Sequence, residues 1–399
     1  MTRPPLRRRW LKPLMLGAAL LAAMTWLTLP ASSQPQQPPS TAAPAGLLEF
    51  TADERAQIVA HGPWPPVVRP DASNRVATQA TAVQWGVSLF FDARLSGNGK
   101  LACASCHQSA RAFQDGLPTA VGRLNGRRNT PSLLDSAQAR WLGWGGSHDS
   151  LWAASLTPLL DDGEMHQTLT SLGERLRNTP ELAQGYQAAF GQALPSDDAT
   201  LAVDVAKALA AYQSTLVSTR TPFDDFRDAL SRGDAQAAVS YPLAAQRGLR
   251  LFIGEGRCTV CHAGPRFSNG EFADISVPFF VPGGVDSGRY SGLQQLLRSN
   301  YNRLGKFNDA GGKDPSAVGT RHVILEPRHF GEFRVPGLRH LSETAPYMHN
   351  GSLARIEDVV QHYSDLNEDR LHADGERILR PLHLSPHQAA DLAAFLRSL

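Results

Sequence analysis

The sequence contains few cysteines, with four in 399 residues. That number is too small for a fold built on disulfides. The chain also lacks an excess of either charge, since 39 lysines and arginines face 37 aspartates and glutamates. This balance argues against a nucleic-acid binder driven by basic tracts and against an acidic disordered chain. The length is ample for a buried core and is typical of two to three domains.

Long apolar runs are also scarce, and the one present lies at the N-terminus. Three arginines at 7–9 precede an apolar run over about residues 14–29, and small residues follow. This order predicts a secretory signal peptide over residues 1–33. An uncleaved membrane anchor is the alternative, because the run is nearly long enough to span a bilayer. In both cases we expect export to the periplasm, with residues 34–46 as a flexible linker and no membrane contact unless the segment is retained.

The four cysteines form two copies of one motif. They lie in Cys103-Ala-Ser-Cys106-His107 and Cys258-Thr-Val-Cys261-His262. C-x-x-C-H is the attachment motif for c-type haem, in which two thiols bond to the porphyrin and the adjacent imidazole is an axial ligand of the iron. A redox dithiol or a zinc site is the alternative reading of one copy. Two copies with no cysteine elsewhere favour two covalently bound haem c groups.

The flanks of the two motifs repeat as well. Gly86-Val-Ser-Leu-Phe90 precedes the first motif and Gly248-Leu-Arg-Leu-Phe252 precedes the second, while Arg111-Ala-Phe113 and Arg266-Phe267 follow them. Apolar residues at helical spacing before each motif predict helices. The repeat therefore predicts an all-α fold of two cytochrome-c-like haem domains with long loops, which we place at residues 47–240 and 241–399.

Two further helices can be predicted from their sequences. A long helix is expected from Asp198 to about Ser218, because apolar residues recur along one stripe. A last helix is expected after Ser385, where Pro386 and Gln388 complete the pattern of a capping box. Apolar residues of that last helix are expected to cover the second haem: Leu392, Phe395 and Leu396.

Beyond these motifs, the chain resembles the bacterial di-haem cytochrome c peroxidase family and, within it, the MauG-like branch. The resemblance extends from about residue 75 to the C-terminus and rests on these segments: Leu-Phe-Phe-Asp-Ala-Arg-Leu-Ser at 89–96, Arg128-Asn-Thr-Pro131, Trp144-Gly-Gly, Pro158, Glu164-Met165, and Thr344-Ala-Pro-Tyr-Met-His-Asn-Gly351. The run at 143–152 also looks like the MbnH branch, whose members oxidise tryptophan on a partner protein. The resemblance implies one haem that meets hydrogen peroxide and a second that stores or relays an oxidising equivalent.

The resemblance implies roles for residues on the peroxide side. His107 matches the proximal ligand of the peroxide haem, so residues 47–240 would be the peroxidatic domain. Glu164 matches the distal acid–base, which moves a proton between the two peroxide oxygens, although on local sequence alone it would be a surface carboxylate. Arg123 matches a histidine that ligates the resting iron in ordinary members. Because a guanidinium stays protonated and cannot ligate iron, we expect an open first haem.

The resemblance also implies roles around the second haem. His262 matches its proximal ligand, and Tyr363 matches the position of its other axial ligand, where ordinary peroxidases have Met. A phenolate stabilises ferric and higher-valent iron, whereas a thioether favours the reduced state. Trp144 matches the residue between the haems that can carry a hole, and His349 matches a histidine near the second haem. A buried tyrosine with a satisfied hydroxyl is the alternative reading of Tyr363.

Other positions matter for cofactors and partners. Asn129, Thr344 and Pro346 match a calcium site between the haems, with one amide oxygen and two backbone carbonyls as ligands. Gly256 stands where MauG has a surface tryptophan, so the hole would need a different exit route. The remaining histidines outside these motifs that we assign to the surface are His61, His166, His322, His372 and His383.

Together these observations predict a periplasmic di-haem enzyme that uses hydrogen peroxide. It would form a high-valent two-haem state and oxidise an aromatic residue, a tryptophan, of a partner protein. One alternative is a cytochrome c peroxidase that takes electrons from a small cytochrome. Another is a non-enzymatic di-haem electron-transfer cytochrome. No nucleic acid is expected as a partner.

Overall fold

The computed structural model describes residues 45–277, 280–281 (backbone), 284–368, 374–375 and 377–399. The predicted signal peptide at 1–33, most of the linker at 34–46 and His372 lie outside the described residues. The described residues belong to one compact unit. Within that part of the chain, no helix combines the length and the apolar character needed to cross a membrane.

The architecture is mostly helical, as predicted. In chain order the α-helices are α1 (Ala52–Val59), α2 (Ala80–Phe90), α3 (Cys103–Cys106), α4 (Leu151–Leu160), α5 (Leu169–Asn178), α6 (Pro180–Phe190), α7 (Asp198–Gln213), α8 (Pro222–Arg232), α9 (Ala235–Ala238), α10 (Leu243–Ile253), α11 (Arg289–Arg298), α12 (Ala317–His322), α13 (Ile356–Ser364) and α14 (Pro386–Leu396). Long loops and short 3₁₀ turns connect them. The strands have two residues each: β1 (Phe272–Ala273), β2 (Phe280–Val281), β3 (Gly284–Val285) and β4 (Phe333–Arg334).

The short strands form two antiparallel pairs. β1 pairs with β4, with Phe272 opposite Arg334. β2 pairs with β3, with Phe280 opposite Val285. The β1–β4 pair joins chain segments about sixty residues apart, and β4 continues into the wall of the cavity described below.

The first hydrophobic cluster surrounds α7. This helix contacts α2, α4 and α5, and its alanine-rich sequence leaves nearly every side chain buried. The helix ends at Gln213, so the predicted end near Ser218 is wrong. The following residues bond to Asp135 instead: the Leu216 carbonyl accepts from its N–H (2.8 Å), and its carboxylate accepts from the Ser218 N–H (2.9 Å).

The second hydrophobic cluster is formed by α1, α8, α10, α13 and α14. The predicted capping box is confirmed, because the Ser385 hydroxyl accepts from the Gln388 N–H and the Gln388 side chain accepts from the Ser385 N–H. Close packing of α10 on α14 depends on Gly248, where an added Cβ would lie 2.0 Å from the Asp391 carbonyl oxygen. Because α1 and α8 come from before residue 240, this cluster draws on both predicted domains. The division at 240/241 stays a prediction.

Candidate di-haem site

One large cavity is lined by both cysteine motifs. Its volume is 1210 Å³, which exceeds the roughly 300–1,000 Å³ of an ordinary small-molecule site. The cysteines and histidines of the two motifs all line it: Cys103, Cys106, His107, Cys258, Cys261 and His262. All four thiols are free of disulfides. The structure therefore brings the two predicted attachment sites together around one space.

The first motif presents its histidine as a metal ligand. Helix α3 ends at Cys106, and the His107 N–H donates to the Cys103 carbonyl (2.9 Å). The His107 Nδ1 lies 2.9 Å from the Phe113 carbonyl oxygen, and Phe113 adopts a φ of 58°. Burial lowers the pKa of His107. A neutral imidazole that donates from Nδ1 leaves Nε2 free to bind a metal.

The second motif repeats this geometry. The His262 N–H donates to the Cys258 carbonyl (2.8 Å), and the His262 Nδ1 lies 2.8 Å from the Phe267 carbonyl oxygen. Phe267 has a φ of 54°. Burial lowers the pKa of His262 to about 4. The repeated Phe113 and Phe267 of the sequence therefore mark the carbonyls that orient the two imidazoles.

His61 lies behind the second motif, and its predicted surface position is wrong. Its side chain is buried, its ring stacks on Phe267 with centroids 4.7 Å apart, and its Nε2 lies 3.3 Å from the His262 carbonyl oxygen. Burial lowers the pKa of His61. The other surface histidines that the structure describes are exposed as predicted: His166, His322 and His383.

Glu164 opens into the cavity from the loop after α4. The Glu164 side chain is exposed and borders the cavity, and its partial enclosure by the cavity wall, together with the nearby Asp161, raises the pKa of Glu164 to about 7. Its backbone carbonyl accepts from the Arg123 N–H (3.0 Å), and the Gly163 carbonyl accepts from the Leu124 N–H (2.8 Å). A carboxyl group with a pKa near 7 can both accept and donate a proton at neutral pH.

Arg123 lies on the outside of this loop. Its side chain is exposed, and its Nε donates to the Asp162 carbonyl (2.5 Å). Gly122 lines the cavity, but Arg123 is outside the set of lining residues. The side chain at position 123, where the resemblance expects a ligating histidine in ordinary members, is therefore bonded here to the outer side of the Glu164 loop.

Trp144 is hydrogen-bonded to two other segments of the cavity wall. Its Nε1 donates to the Asn129 carbonyl (2.8 Å), and its own carbonyl accepts from the Arg334 N–H of β4 (2.8 Å). The turn after it packs tightly on α11, since a Cβ at Gly145 would lie 2.5 Å from the Gly288 carbonyl oxygen. The indole is therefore held in a fixed position in the cavity wall.

Tyr363 lines the cavity from α13. Its hydroxyl has no hydrogen-bond partner among the described residues, which leaves it facing the cavity. Burial raises the pKa of Tyr363, and the charges of Cys258 and Cys261 as thiolates would raise it further. The phenol is therefore neutral unless a metal ion replaces its proton, as metals do for coordinating groups. Leu392 and Leu396 of α14 also line the cavity as expected, whereas Phe395 is buried in the core.

The three residues assigned to calcium also line this cavity. The Asn129 Nδ2 donates to the Leu117 carbonyl (2.8 Å), which fixes the amide group. Its Oδ1 and the carbonyls of Thr344 and Pro346 accept no hydrogen bond from the rest of the described chain. Neutral oxygens of this kind suit a hard cation such as Ca²⁺.

Positive charge in the cavity wall fits the carboxylates of bound haem. Arg266 and Arg334 line the cavity, and neither is within ion-pair distance of a carboxylate in the described residues. Burial lowers the pKa of Arg334 to about 10, and Arg266 adds to this effect. His349 is buried and stacks on Phe333 with centroids 3.5 Å apart, and its Nε2 has no partner in the described structure.

The unpaired side chains of Arg266, Arg334 and His349 fit a bound haem, because its propionates would supply the anions and hydrogen-bond acceptors that they lack. Sequence reasoning missed Arg266 and Arg334 as site residues. The repeat of Arg111-Ala-Phe113 and Arg266-Phe267 was a signal for the first of them.

Comparisons with known proteins show what this chain is similar to. The family model described as di-haem cytochrome c peroxidase matches residues 80–232. The methylamine utilization protein MauG of Methylorubrum extorquens is 34% identical over 361 residues, with 89% of each chain covered. The cytochrome-c peroxidase IdrP1 of Denitromonas iodatirespirans is 35% identical over 344 residues, with 85% of each covered. A crystal structure of a MauG-like protein associated with microbial copper homeostasis superimposes with a TM-score of 0.63 at 26% identity, covering 85% of this chain and 95% of that one.

Proposed function

This chain belongs to the di-haem cytochrome c peroxidase family and is a di-haem oxidoreductase, and from this premise we propose that it uses hydrogen peroxide to oxidise a tryptophan of a partner protein in the periplasm. Its four motif cysteines would hold two haem c groups, with His107 and His262 as axial ligands. The signal peptide at 1–33 would export the chain, and residues 47–240 would form the peroxidatic domain.

The bound haems would supply the redox chemistry, the reaction with peroxide and the storage of its oxidising equivalents. The side chains of this protein would transfer protons and keep the haem site accessible. Glu164 would accept a proton from one peroxide oxygen and return it to the other, departing oxygen. Its pKa of about 7 matches this double role. Arg123 leaves the site open, because its side chain is tied to Asp162.

Trp144 would carry charge between the two centres. Its indole N–H donates to the Asn129 carbonyl, and its backbone carbonyl accepts from the Arg334 N–H, so both the ring and the main chain of Trp144 are held. Within the described residues no cation lies over its ring, so electron loss from this indole meets less repulsion than it would beneath a guanidinium.

The observation that carries the proposal is the unpartnered hydroxyl of Tyr363 in the cavity wall beside Cys258 and Cys261. A phenolate ligand stabilises oxidised iron, where the Met of an ordinary peroxidase would favour reduction by a small cytochrome. A second haem with His262 and Tyr363 as ligands is therefore suited to hold an oxidising equivalent for a slow reaction on a protein.

A calcium ion between the haems would complete the site. We assign it to the Oδ1 of Asn129 and the carbonyl oxygens of Thr344 and Pro346, with water filling the remaining positions. Because the Asn129 carbonyl also accepts from Trp144, the ion would help to fix the indole. His349, whose own carbonyl accepts from the Asn129 N–H (2.7 Å), would donate to or accept from groups near the second haem.

A second candidate function is reduction of peroxide with electrons from a small cytochrome c. The similarity to a protein named cytochrome-c peroxidase at 35% identity favours it. Gly256, which stands where MauG has a tryptophan, is consistent with it as well, since that exit for a hole is missing.

One experiment separates the two functions. The purified di-haem protein is given peroxide with either a reduced small cytochrome c or an exported, tryptophan-bearing protein encoded beside it. The proposal predicts slow turnover with the cytochrome and added oxygen on a tryptophan of the second protein, detected by peptide mass spectrometry. Fast cytochrome oxidation with an unmodified partner would establish the peroxidase instead. Tyr363→Phe is the matched control, because it keeps the ring and removes only the proposed ligand.

A further inference from the structure

Three tryptophans near the cavity have cations over their rings. In each of them an arginine or lysine side-chain cation lies 3.7–5.6 Å from the ring centroid: Trp64, Trp141 and Trp152. Trp141 and Trp152 are each next in sequence to a residue of the cavity wall, Leu142 and Leu151. Trp64 is covered by Arg339, which itself lines the cavity.

The two other tryptophans of the described chain lack such a cation. Trp85 packs edge-on against Tyr186, and neither residue lines the cavity. Trp144 lies in the cavity wall, where we propose that it transfers charge. Cations therefore accompany the tryptophans near the oxidising centres that have no role in the proposed reaction, and they are missing where the reaction needs an oxidisable indole.

The arrangement is strongest at Trp141, three residues before Trp144. Arg289 lies 4.7 Å from the Trp141 ring centroid and Arg140 lies 5.2 Å from it. Arg140 is exposed and pairs with Glu271 at 3.5 Å, which offsets its charge. Arg289 is buried and makes no close ion pair within the described residues, and the carboxylates of Glu271 and Glu332 act on it from a greater distance. Burial lowers the pKa of Arg289 to about 10, so it is still charged at neutral pH.

Arg289 is anchored in the turn that follows Trp144. It is the first residue of α11, and its Nη1 donates to the Gly146 carbonyl (2.9 Å). Gly146 has a φ of 64°, and a Cβ there would lie 2.4 Å from the same Nη1. The guanidinium is therefore held between the Trp141 ring and the Trp144 turn, and its position does not depend on a flexible surface side chain.

We propose that Arg289 is a positioning residue that confines the oxidising equivalent to Trp144 by making Trp141 harder to oxidise. This inference rests on the proposed function, which supplies peroxide as the oxidant. Oxidation of Trp141 would remove one electron from the indole, reduce the oxidant by one electron and leave an indole radical cation beside the guanidinium. Two positive charges at this separation repel strongly in a protein interior. Within the described residues, no cation lies over the Trp144 ring.

Oxidation of Trp141 would give a stable product that can be detected. The Trp141 radical cation would lose its indole proton to water, and loss of a second electron to the remaining oxidising equivalent, followed by addition of water and release of a proton, would give a product with one added oxygen atom. We therefore choose three variants of the holoenzyme. Arg289→Gln removes the charge but keeps a donor for the Gly146 carbonyl, Arg289→Lys keeps the charge, and Arg140→Gln removes the compensated cation.

In the first arm each holoenzyme receives peroxide without a protein substrate, and the fraction of oxidised Trp141 is measured by peptide mass spectrometry with Trp85 as internal reference. Arg289→Gln should raise Trp141 oxidation by about tenfold or more. Arg289→Lys should stay near the wild type, and Arg140→Gln should give a smaller rise. Haem absorption spectra taken before peroxide is added verify that each variant is loaded and folded.

In the second arm peroxide is omitted and holes are generated with a photo-excited ruthenium complex and persulfate. The same order of Trp141 oxidation is expected. A rise in this arm without any reaction with peroxide in the first arm would overturn the proposed function but support the inference. Equal Trp141 oxidation in wild type and Arg289→Gln in both arms would overturn the inference, as would equal oxidation in Arg289→Gln and Arg289→Lys.

Discussion

The two cysteine motifs orient their imidazoles in the same way, but the ionisable side chains that line the cavity near them differ. In both, the histidine N–H bonds to the first cysteine carbonyl and Nδ1 lies 2.8–2.9 Å from the carbonyl of a phenylalanine with positive φ. The first half then contributes Glu164, an ionisable group with a pKa of about 7. The second contributes Tyr363, a phenol that burial keeps neutral.

This comparison teaches that the attachment motif can be repeated while the ionisable side chain that accompanies it differs. In the proposed function, the carboxyl group on the first side would transfer protons, which peroxide cleavage requires. A phenolate on the second side would transfer none and would instead stabilise an oxidised metal. Variants on each side of the cavity test this difference, and loss of the cysteine attachment that both sides share is expected to have the largest effect.

The largest effect is expected from removal of one attachment site. Replacing Cys103 and Cys106 by Ala should leave a protein with one covalent haem, and replacing Cys258 and Cys261 should do the same on the other side. The reason is that each motif offers the only two thiols for its haem. Intact-protein mass spectrometry counts the haems. A wild-type protein with one haem, or with a disulfide, would contradict the shared basis of the comparison.

The next largest effect is expected at Tyr363. Tyr363→Phe should leave the reaction with peroxide largely intact and lower oxidation of the protein substrate by about 100-fold or more, because the second iron loses its anionic ligand. Tyr363→Met should raise the potential of the second haem and make the enzyme more like a cytochrome c peroxidase. Mössbauer spectra of the peroxide-treated wild type and Tyr363→Phe should differ. Identical spectra would mean that Tyr363 is not a ligand.

Glu164→Gln should slow the peroxide reaction by about 100-fold or more, since it removes the acid–base group. The wild-type rate should fall as the pH drops below about 7, because the protonated carboxyl can no longer accept the peroxide proton. The variant should lose this pH dependence while its second haem keeps the wild-type spectrum. Stopped-flow absorption from pH 5 to 9 provides the measurement. An unchanged pH profile would assign the proton transfer to another group.

The features that the sequence predicts correctly are those determined by near neighbours along the chain. The two C-x-x-C-H motifs and the Ser385 capping box need only a few residues each, and the structure has them as expected. The end of α7 was placed too far along the chain because Asp135, some eighty residues earlier, binds Leu216 and Ser218. Such a contact leaves no local signal.

Burial was predicted less well than motif identity. The sequence assigns His61 to the surface because a lone histidine outside any motif carries no sign of its surroundings, yet its ring packs against Phe267 and its Nε2 approaches a carbonyl two hundred residues away. Arg266 and Arg334 were missed for a related reason. Their unpaired charge acquires meaning only when the cavity and the propionates of its cofactor are considered together. The roles of Glu164, Trp144, Tyr363 and the calcium ligands stay predictions that rest on the family resemblance.

A smaller effect is expected from chelation of calcium. Treatment with EGTA should lower the unfolding temperature by roughly 2–4 °C for each kcal/mol of binding free energy that is lost. Asn129→Ala should already have the lower temperature and should not respond to the chelator. Differential scanning calorimetry provides the comparison. A wild type that is insensitive to EGTA and contains no calcium by elemental analysis would remove Asn129, Thr344 and Pro346 from the cofactor site.

The smallest effect is expected from Arg123→His, although it restores the residue that ordinary family members use as a ligand. The loop lies flat against the Glu164 segment: the Arg123 N–H bonds to the Glu164 carbonyl, and a Cβ at Gly122 would lie 2.8 Å from the Glu164 Cα. A histidine at 123 would occupy the exposed side of this loop and would reach the iron only if these bonds broke.

The resting diferric variant should therefore retain the high-spin signal that we expect in the wild-type electron paramagnetic resonance spectrum. Its rate with peroxide should change by no more than about twofold, the range of ordinary surface substitutions. If instead the high-spin signal disappears and peroxide reacts only after half reduction, the loop can rearrange at low cost. The resting difference between the two haems would then depend on the residue at position 123 alone, because the rest of the first site would already permit the six-coordinate state.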